Sequence, residues 1–400
     1  MLFDHAHRDL APEVLAGREK IGIEIAEIGS ETAFDVAAIG DARHAYVMFT
    51  SGTTGKPKGV AVTYDNVVSY IGAFAGIAPI SPQDRCTQFF DLSFDLSVHD
   101  MFVAWANGAA LCVPGKKDNI DPVGFAARAR CTAWFSVPSL AQFSARTRRL
   151  KPGALPDLKL GLFCGEALPS SVAKQFALAA PGARVLNLYG PTEATIAITW
   201  HEFAAEDEGA MPPTVPLGRA YRDCAVVVAG EDMQPVLDGE SGELLLGGRQ
   251  LTDGYVNNPE QQAEKFIAAT FEGLPYERWY RSGDLVRQDP RHGLVYLSRI
   301  DDQVKIQGYR IEILEVEEAM RAAAGSGEVA VVASYKDGAS SAEHLVGFTT
   351  DGDADAASIL DAMRRKLPAY MVPKVIRQVD ALPLNANGKV DRKALRASLA

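Results

Sequence analysis

The chain has 400 residues, 47 % of them apolar and 23 % charged, a globular composition with enough core for two or three domains. A net charge of −11 argues against a general nucleic-acid role, no apolar run is long enough for membrane insertion, and the N-terminus lacks a signal-peptide pattern. Five scattered cysteines (Cys86, Cys112, Cys131, Cys164, Cys224) make neither a disulfide framework nor a metal-binding pair, and the seven histidines show no zinc spacing, so a reducing cytoplasm is the simplest setting.

Residues 1–45 read as mixed helix and strand without a motif. The apolar run Tyr46 to Phe49 then reads as a short buried strand. It feeds Thr50-Ser51-Gly52-Thr53-Thr54-Gly55-Lys56-Pro57-Lys58-Gly59, which reads as a loop. Glycines let successive backbone N–H groups turn toward one point and cradle an anion. The hydroxyls of Thr50, Ser51, Thr53 and Thr54 add donors, and Lys56 and Lys58 add charge, which is the chemistry a polyphosphate needs. The alternative is a solvated hairpin or linker of ordinary loop residues. The stretch is not a P-loop, because Pro57 follows Lys56 where Ser or Thr would be required.

Helical spacing of Val67, Val68, Ile71 and Phe74 predicts a helix over 63–77. Asp95 lies among apolar residues in Phe94-Asp95-Leu96-Ser97, just before another helix, and reads either as a helix cap or as a site carboxylate. Strands at 111–114, 132–137, 158–164 and 184–188 alternate with helices at 122–130 and 170–178, the pattern of an α/β sheet. Ligands bind at the carboxyl ends of such strands. There the chain carries Gly165-Glu166-Ala167 and Asn187-Leu188-Tyr189-Gly190-Pro191-Thr192-Glu193. Tyr189 offers a flat face for a base, Asn187 an amide, and Glu193 a hard oxygen ligand for Mg²⁺; a proline turn is the alternative. From Val215 the composition becomes β-rich, with strands at 225–228, 242–246 and 295–297. Tyr280-Arg281-Ser282-Gly283-Asp284 reads as a site or as a surface turn. Beyond residue 300, helices at 313–324 and 356–367 alternate with strands at 329–334 and 344–349. Lys389, in Asn387-Gly388-Lys389-Val390-Asp391-Arg392, would by itself be an exposed lysine in an Asn-Gly turn.

Taken in order, eight such motifs resemble those of the adenylate-forming superfamily of acyl-CoA ligases, luciferases and nonribosomal peptide synthetase adenylation domains. That resemblance covers essentially the whole chain. It implies an α/β fold in which a large N-terminal domain of stacked α/β sheets with a β-rich subdomain, residues 1–300, carries a small mobile α/β C-terminal lid, residues 301–400. The family places more sequence ahead of the Gly-rich loop, so the chain reads as N-terminally short. ATP and Mg²⁺ are the implied cofactors. The loop from Thr50 to Lys58, together with Gly165, Glu166, Ala167, Asn187, Tyr189, Gly190, Asp284 (ribose hydroxyls) and Arg299, would bind nucleotide. Thr192, Glu193 and Lys389 would serve adenylation, with Glu193 on the metal and Asp301 as the hinge.

The FDxS context resembles the amino-acid-activating branch, whose aspartate receives the substrate ammonium, here at Asp95. The branch's pocket positions map onto Asp95, Leu96, His99, Ser139, Leu162, Cys164, Leu188, Ile196 and Ala197, mostly apolar and suited to a small side chain. FDLSV, FCGEALP and YGPTEAT look most like D-alanine–carrier protein ligases. That resemblance implies a small amino acid substrate, D-alanine foremost, and transfer to the phosphopantetheine thiol of a separate carrier protein. Tyr64, His99, Ser298 and Leu314 depart from the family pattern. Three alternatives stay open: adenylation of another amino acid, a small-acid acyl-CoA ligase, and a catalytically impaired binding protein.

Overall fold

A computed structural model of the chain describes residues 2–3, 23–24, 43–51, 57–115, 117–204, 211–301, 303–324, 328–335, 342–351, 355–384 and 390–399. Two short strands, β1 (Leu2–Phe3) and β2 (Ile23–Glu24), pair in parallel within residues 1–43. Residues 44–400 form a second compact unit, an α/β assembly of several sheets.

That unit opens with the antiparallel hairpin β3 (His44–Thr50) and β4 (Lys58–Thr63). Thr50 and Lys58 are partners at the end of that pairing, and residues 52–56 between them lie outside the described residues. The run expected to be a buried strand is the edge of a three-stranded sheet, and Val47 and Phe49 are 45 % and 69 % exposed. An apolar run cannot distinguish an edge strand from a core strand, because only alternate side chains face the core. Helix α1 (Tyr64–Ala75) starts with a capping box between Thr63 and Asn66 and buries Val67, Tyr70, Ala73 and Phe74.

The central sheet follows: β5 (Arg85–Thr87), α2 (Leu96–Ala106), β6 (Ala110–Cys112), α3 (Pro122–Arg128), β7 (Ala133–Ser136), α4 (Pro138–Arg146), β8 (Leu160–Phe163), α5 (Ser170–Ala179), β9 (Arg184–Tyr189), β10 (Thr199–Phe203) and β11 (Arg219–Ala220). The spatial order is β11-β10-β9-β8-β7-β5-β6, parallel from β9 to β6 and antiparallel at β10 and β11. The chain steps from β5 outward to β6 and then returns past β5 to β7. The order thus reverses between β5 and β7, and a crevice opens there at the strand carboxyl ends. Trp134, Phe163 and Phe176, all fully buried, pack against one another on the far face, where a truncation to Ala would cost about 3–5 kcal/mol.

Antiparallel strands β12 (Cys224–Ala229), β13 (Ser241–Gly248), β15 (Phe266–Ala268), β16 (Arg278–Asp289) and β17 (Gly293–Arg299) form a second sheet. Between β13 and β15, β14 (Gly254–Tyr255) pairs back onto β4 and precedes α6 (Pro259–Lys265). The segment 280–285 is no surface turn: it lies inside β16, with Gly283 at φ +70°. The hairpin β18 (Gln303–Ile306) and β19 (Tyr309–Glu312) leads into α7 (Ile313–Ala324). A three-stranded sheet, β20 (Val329–Ser334), β21 (His344–Thr349) and β22 (Val375–Gln378), then packs with α7, α8 (Ala356–Arg364) and α9 (Arg392–Ala397). Among the described residues no helix is long and apolar enough to cross a membrane.

Candidate active site

Asp95 follows β5 into the crevice. It precedes α2 with φ −66°, makes no capping hydrogen bond, and is 7 % exposed. Its Oδ2 accepts the Ile196 N–H at 3.3 Å, and the Thr192 hydroxyl also bonds to it. Burial pushes its pKa up to about 6 against those two donors. A cavity of about 140 Å³ opens beside it, lined by Thr50, Ser51, Asp95, Leu96, Thr192 and Tyr309 among others. The Thr50 hydroxyl is buried there and has no hydrogen-bond partner among the described residues.

Glu193, one residue beyond Thr192, has the opposite surroundings. It is fully buried, accepts from the Tyr255 hydroxyl at 2.7 Å, and faces Lys58 Nζ at 3.3 Å and Arg310 Nη1 at 3.1 Å. Burial alone would raise its pKa, but Arg310 and Lys58 hold the carboxyl well below the usual range. Lys58, buried and beside Arg310, is itself lowered to about 8 despite its partner Glu193.

A second, larger cavity of about 380 Å³ adjoins the first, sharing Gly165, Tyr189, Gly190, Arg299 and Lys305 with it. Glu166 and Ala167 line it as well, and Glu166 accepts the Ser139 N–H at 2.9 Å and the Gly308 N–H at 2.8 Å. The β18–β19 hairpin is thereby seated on the crevice. A Cβ on Gly308 would lie 2.5 Å from Val137 Cγ1, and its φ is +83°, so only glycine permits this approach. Tyr189 donates to Asp284 at 2.5 Å, while Arg299 binds Asp284 at 2.8 Å and Asp301 at 2.5 Å. Asp301 is held low: burial would raise it, but the Arg299 guanidinium prevails.

Over residues 10–256 the chain matches the AMP-binding enzyme family, and over 315–389 the AMP-binding enzyme C-terminal domain. The chain belongs to the AMP-binding enzyme family, the adenylate-forming ligases. Within it the chain falls in the amino-acid adenylation branch. It is 35 % identical over 394 residues to chondramide synthase of Chondromyces crocatus, covering 97 % of this chain and 10 % of that protein. It is 33 % identical over 361 residues to the D-alanine–D-alanyl carrier protein ligase of Bacillus licheniformis, 88 % of this chain and 70 % of the ligase. Among solved structures, the Vibrio cholerae adenylation domain AlmE in complex with glycyl-adenosine-5'-phosphate superposes with a TM-score of 0.85 at 33 % identity, over 100 % of this chain and 74 % of AlmE. The chain thus spans about a tenth of the first relative's length.

In this AMP-binding enzyme the residues expected at the site separate into groups. Thr50, Ser51, Asp95, Leu96, Gly165, Tyr189, Gly190, Thr192, Asp284 and Arg299 line the Asp95 cavity, and Glu166, Ala167, Leu188 and Asp301 line the larger one. Gly52, Thr53, Thr54, Gly55, Lys56 and Lys389 lie outside the described residues. Asn187 lines neither cavity: its amide nitrogen donates to the carbonyls of Val215 and Pro216, where it ties β9 to the 215–216 segment. His99, Leu162, Cys164, Ile196 and Ala197 are buried side chains that line neither cavity. His99 bonds the Tyr70 hydroxyl at 2.6 Å among Phe74 and Phe135, and burial pushes its pKa down to about 3. Ser139 contributes its backbone N–H to Glu166.

Glu193 was expected to hold Mg²⁺. Its carboxylate oxygens are instead taken by an arginine and a lysine, which supply the positive charge a hard cation would bring, and by a neutral tyrosine hydroxyl. Among the described residues no group of three or more His, Cys, Asp and Glu could hold a metal ion. As arranged here, the Glu193 surroundings do not fit a divalent cation.

The reading by motif missed Lys305, Arg310, Gln303 and Tyr255. In the register of β18 and β19, Gln303 faces Glu312 and Lys305 faces Arg310. These four form one polar face, while Val304, Ile306, Tyr309 and Ile311 belong to the apolar side that meets the C-terminal core. Polar-apolar alternation with charged residues on one face of a hairpin was the available signal. Lys305 lies partly buried, 5.9 Å from the Tyr189 ring centroid, and desolvation lowers its pKa.

Proposed function

We propose that this chain activates a small amino acid with ATP, forming an aminoacyl-AMP, and transfers the aminoacyl group to the phosphopantetheine thiol of a carrier protein. The observation that carries the reading is Asp95, a buried carboxylate that caps no helix and faces the cavity. A buried carboxylate of that kind is matched by an ammonium, since either charge buried alone is costly. A plain carboxylic acid would leave it unpaired, which disfavours the small-acid acyl-CoA ligase. The mapped positions Leu96, Leu162, Cys164, Leu188, Ile196 and Ala197 are buried apolar side chains in one core cluster, which supports a small side chain. Glycine, by analogy with the glycyl adenylate of AlmE, and D-alanine, by analogy with the carrier protein ligase, are the leading substrates.

In the first half-reaction the substrate carboxylate attacks the α-phosphorus of ATP and pyrophosphate departs. Positioning and electrostatics dominate such a transfer. Thr50 and Ser51 would meet the phosphates, Asp284 the ribose, Tyr189 and the 165–167 loop the base, and Lys389 the charge that builds between carboxylate and phosphate. In the second half-reaction the thiol attacks the acyl carbon and AMP leaves. The seating of Gly308 on Glu166 and of Arg310 on Glu193 supports an arrangement suited to this step, with residues 301–400 acting as a lid that turns about Asp301.

The test is ATP–pyrophosphate exchange across glycine, D-alanine and the common L-amino acids, with Lys389→Ala alongside. Glycine or alanine should rank first, and Lys389→Ala should lower exchange by roughly 10²–10³-fold while largely sparing thiol transfer from supplied aminoacyl-AMP. Unchanged exchange in the variant would remove Lys389 from the mechanism; exchange with acetate or propionate at amino-acid rates would favour the acyl-CoA ligase.

A further inference from the structure

Two consecutive β-branched residues behind Asp95, Thr195 (φ +57°) and Ile196 (φ +69°), occupy the left-handed region. Non-glycine residues rarely adopt it, β-branched ones least of all, and each such residue costs of order 1–3 kcal/mol unless its surroundings compel it. The turn has a use, because the Ile196 N–H it directs outward is a donor to Asp95. The compelling group is the side chain of Gln250, fully buried between β13 and β14. Its Nε2 donates to the carbonyl of Ala197 at 2.6 Å and reaches those of Ala194 and Thr195 at 3.3 and 3.4 Å. The Thr195 hydroxyl returns a bond to the Gln250 carbonyl at 2.7 Å.

Gln250 is itself held. The amide of Asn66, in the first turn of α1, donates to the carbonyls on either side of it, Arg249 at 2.8 Å and Leu251 at 3.0 Å. Two residues on, the Thr252 N–H donates to the Glu193 carbonyl at 3.0 Å. Thus a rigid segment clasps the 193–197 turn from behind, with one amide side chain bridging three of its carbonyls.

We propose that Gln250 is a positioning residue for amino-acid recognition: it holds the left-handed Thr195–Ile196 turn so that the Ile196 N–H orients Asp95 toward the substrate ammonium. The inference rests on the reading of Asp95 as the ammonium's partner. Loss of the amide would let the turn relax, moving the Asp95 carboxylate without touching the nucleotide end of the crevice.

The experiment is ATP–pyrophosphate exchange with whichever of glycine, D-alanine and the common L-amino acids the unmodified protein prefers. Gln250→Met, which keeps the length and removes the amide, should raise the amino-acid KM at least tenfold and leave the ATP KM within twofold. Adding Thr195→Gly, which makes the left-handed turn easy to adopt, should recover most of that loss. A general packing defect would instead raise both KM values and worsen in the double variant, and that pattern would overturn the proposal. So would an unchanged amino-acid KM in Gln250→Met. Asp95→Asn separates the two readings: if it raises the amino-acid KM while Gln250→Met does not, only the present inference fails. If neither variant affects it, both readings fail. Should Gln250→Met not fold, Gln250→Glu, which keeps the shape but replaces the amide donor that faces the three carbonyls, takes its place: its amino-acid KM should rise at least tenfold with the ATP KM within twofold, and an unchanged amino-acid KM would overturn the proposal.

Discussion

Asp95 and Glu193 are two buried carboxylates on neighbouring loops of one crevice, and their surroundings drive them in opposite directions. Burial dominates at Asp95, whose partners, the Thr192 hydroxyl and the Ile196 and Leu96 backbone N–H groups, carry no charge, and its pKa climbs to about 6. At Glu193 two cations, buried Lys58 and partly buried Arg310, outweigh the same burial effect, and the carboxyl is held low. The pair teaches that burial alone does not mark a ligand-binding acid; the discriminating quantity is the charge left uncompensated by the protein. Among the described residues no cation pairs with Asp95. Glu193 has two, one of them from the hairpin that carries Gly308.

The largest expected effect of breaking this contrast is at Asp95. Asp95→Ala should raise the amino-acid KM by the equivalent of about 3–5 kcal/mol, the usual result of stripping a buried charge of its partner, with the ATP KM nearly unchanged. Steady-state exchange kinetics with each substrate varied in turn would measure it. An equal loss for both substrates would make Asp95 a structural residue.

The raised pKa of Asp95 gives the next effect, with a definite sign. A carboxyl whose folded pKa is above its unfolded one favours folding while protonated. That contribution is complete below about 3.8, the ordinary value, and is lost as pH rises through about 6. Two pH units correspond to roughly 3 kcal/mol. Binding an ammonium requires the ionised form, so the preference reverses for activity: kcat/KM for the amino acid should fall about tenfold per unit below pH 6. Glu193, already ionised in that range by its cations, should contribute nothing to this limb. Asp95→Asn should flatten it, and persistence of the limb in that variant would assign it elsewhere.

On the other carboxylate, Arg310→Ala should leave Glu193 with Lys58 and Tyr255 and loosen the seat of the β18–β19 hairpin. Thiol transfer from a supplied aminoacyl-AMP should slow by the equivalent of about 1–3 kcal/mol, the usual cost of an unsatisfied buried group, while pyrophosphate exchange changes less. Single-turnover transfer to a carrier protein, compared with exchange, would separate the two. Equal slowing of both would reduce the ion pair to a brace for the fold.

Periodicity made much of the scaffold legible beforehand. The helix Ile313–Ala324 and the strands Val329–Ser334 and His344–Thr349 have the bounds their patterns imply, because each carries a clear period and ends in polar or turn residues. Asp95 was legible as one of two possibilities, and its backbone geometry and missing cap decide against the capping role. The exposed edge at Val47 and Phe49 was not legible, since no local pattern tells which strand lacks a neighbour. That the Asn187 amide nitrogen ties β9 to the 215–216 segment was not legible, because an amide at a strand end looks free until its two carbonyl partners are seen. The cations at Glu193 were hidden for a related reason. Lys58 and Arg310 are separated by 252 positions in the chain, and only the folded sheets bring them to one carboxylate.

The smallest expected effect concerns the depth of the pocket. Cys164 ends the β8 edge of the crevice next to Gly165, is fully buried, and lines neither cavity. Its thiol is pushed up to about 12, first by burial and then by Asp95, so it is an inert apolar filler. It shares a core cluster with Leu96 and Leu188, which line the two cavities and would form the wall against which the substrate's Cβ rests. Cys164→Ala would therefore deepen that wall by about one sulfur atom. Changes of this size in an apolar pocket are worth only about 1–3 kcal/mol, and the new space lies behind intact side chains, so the lower end applies. The ratio of kcat/KM for serine or 2-aminobutyrate to that for alanine should rise by less than about tenfold, with the ATP KM unchanged. A rise for aromatic substrates would show that the wall, not the Asp95 end, sets the size limit. No change at all would mean that Leu96 and Leu188 close the pocket by themselves, leaving the sulfur a core atom with no part in selectivity.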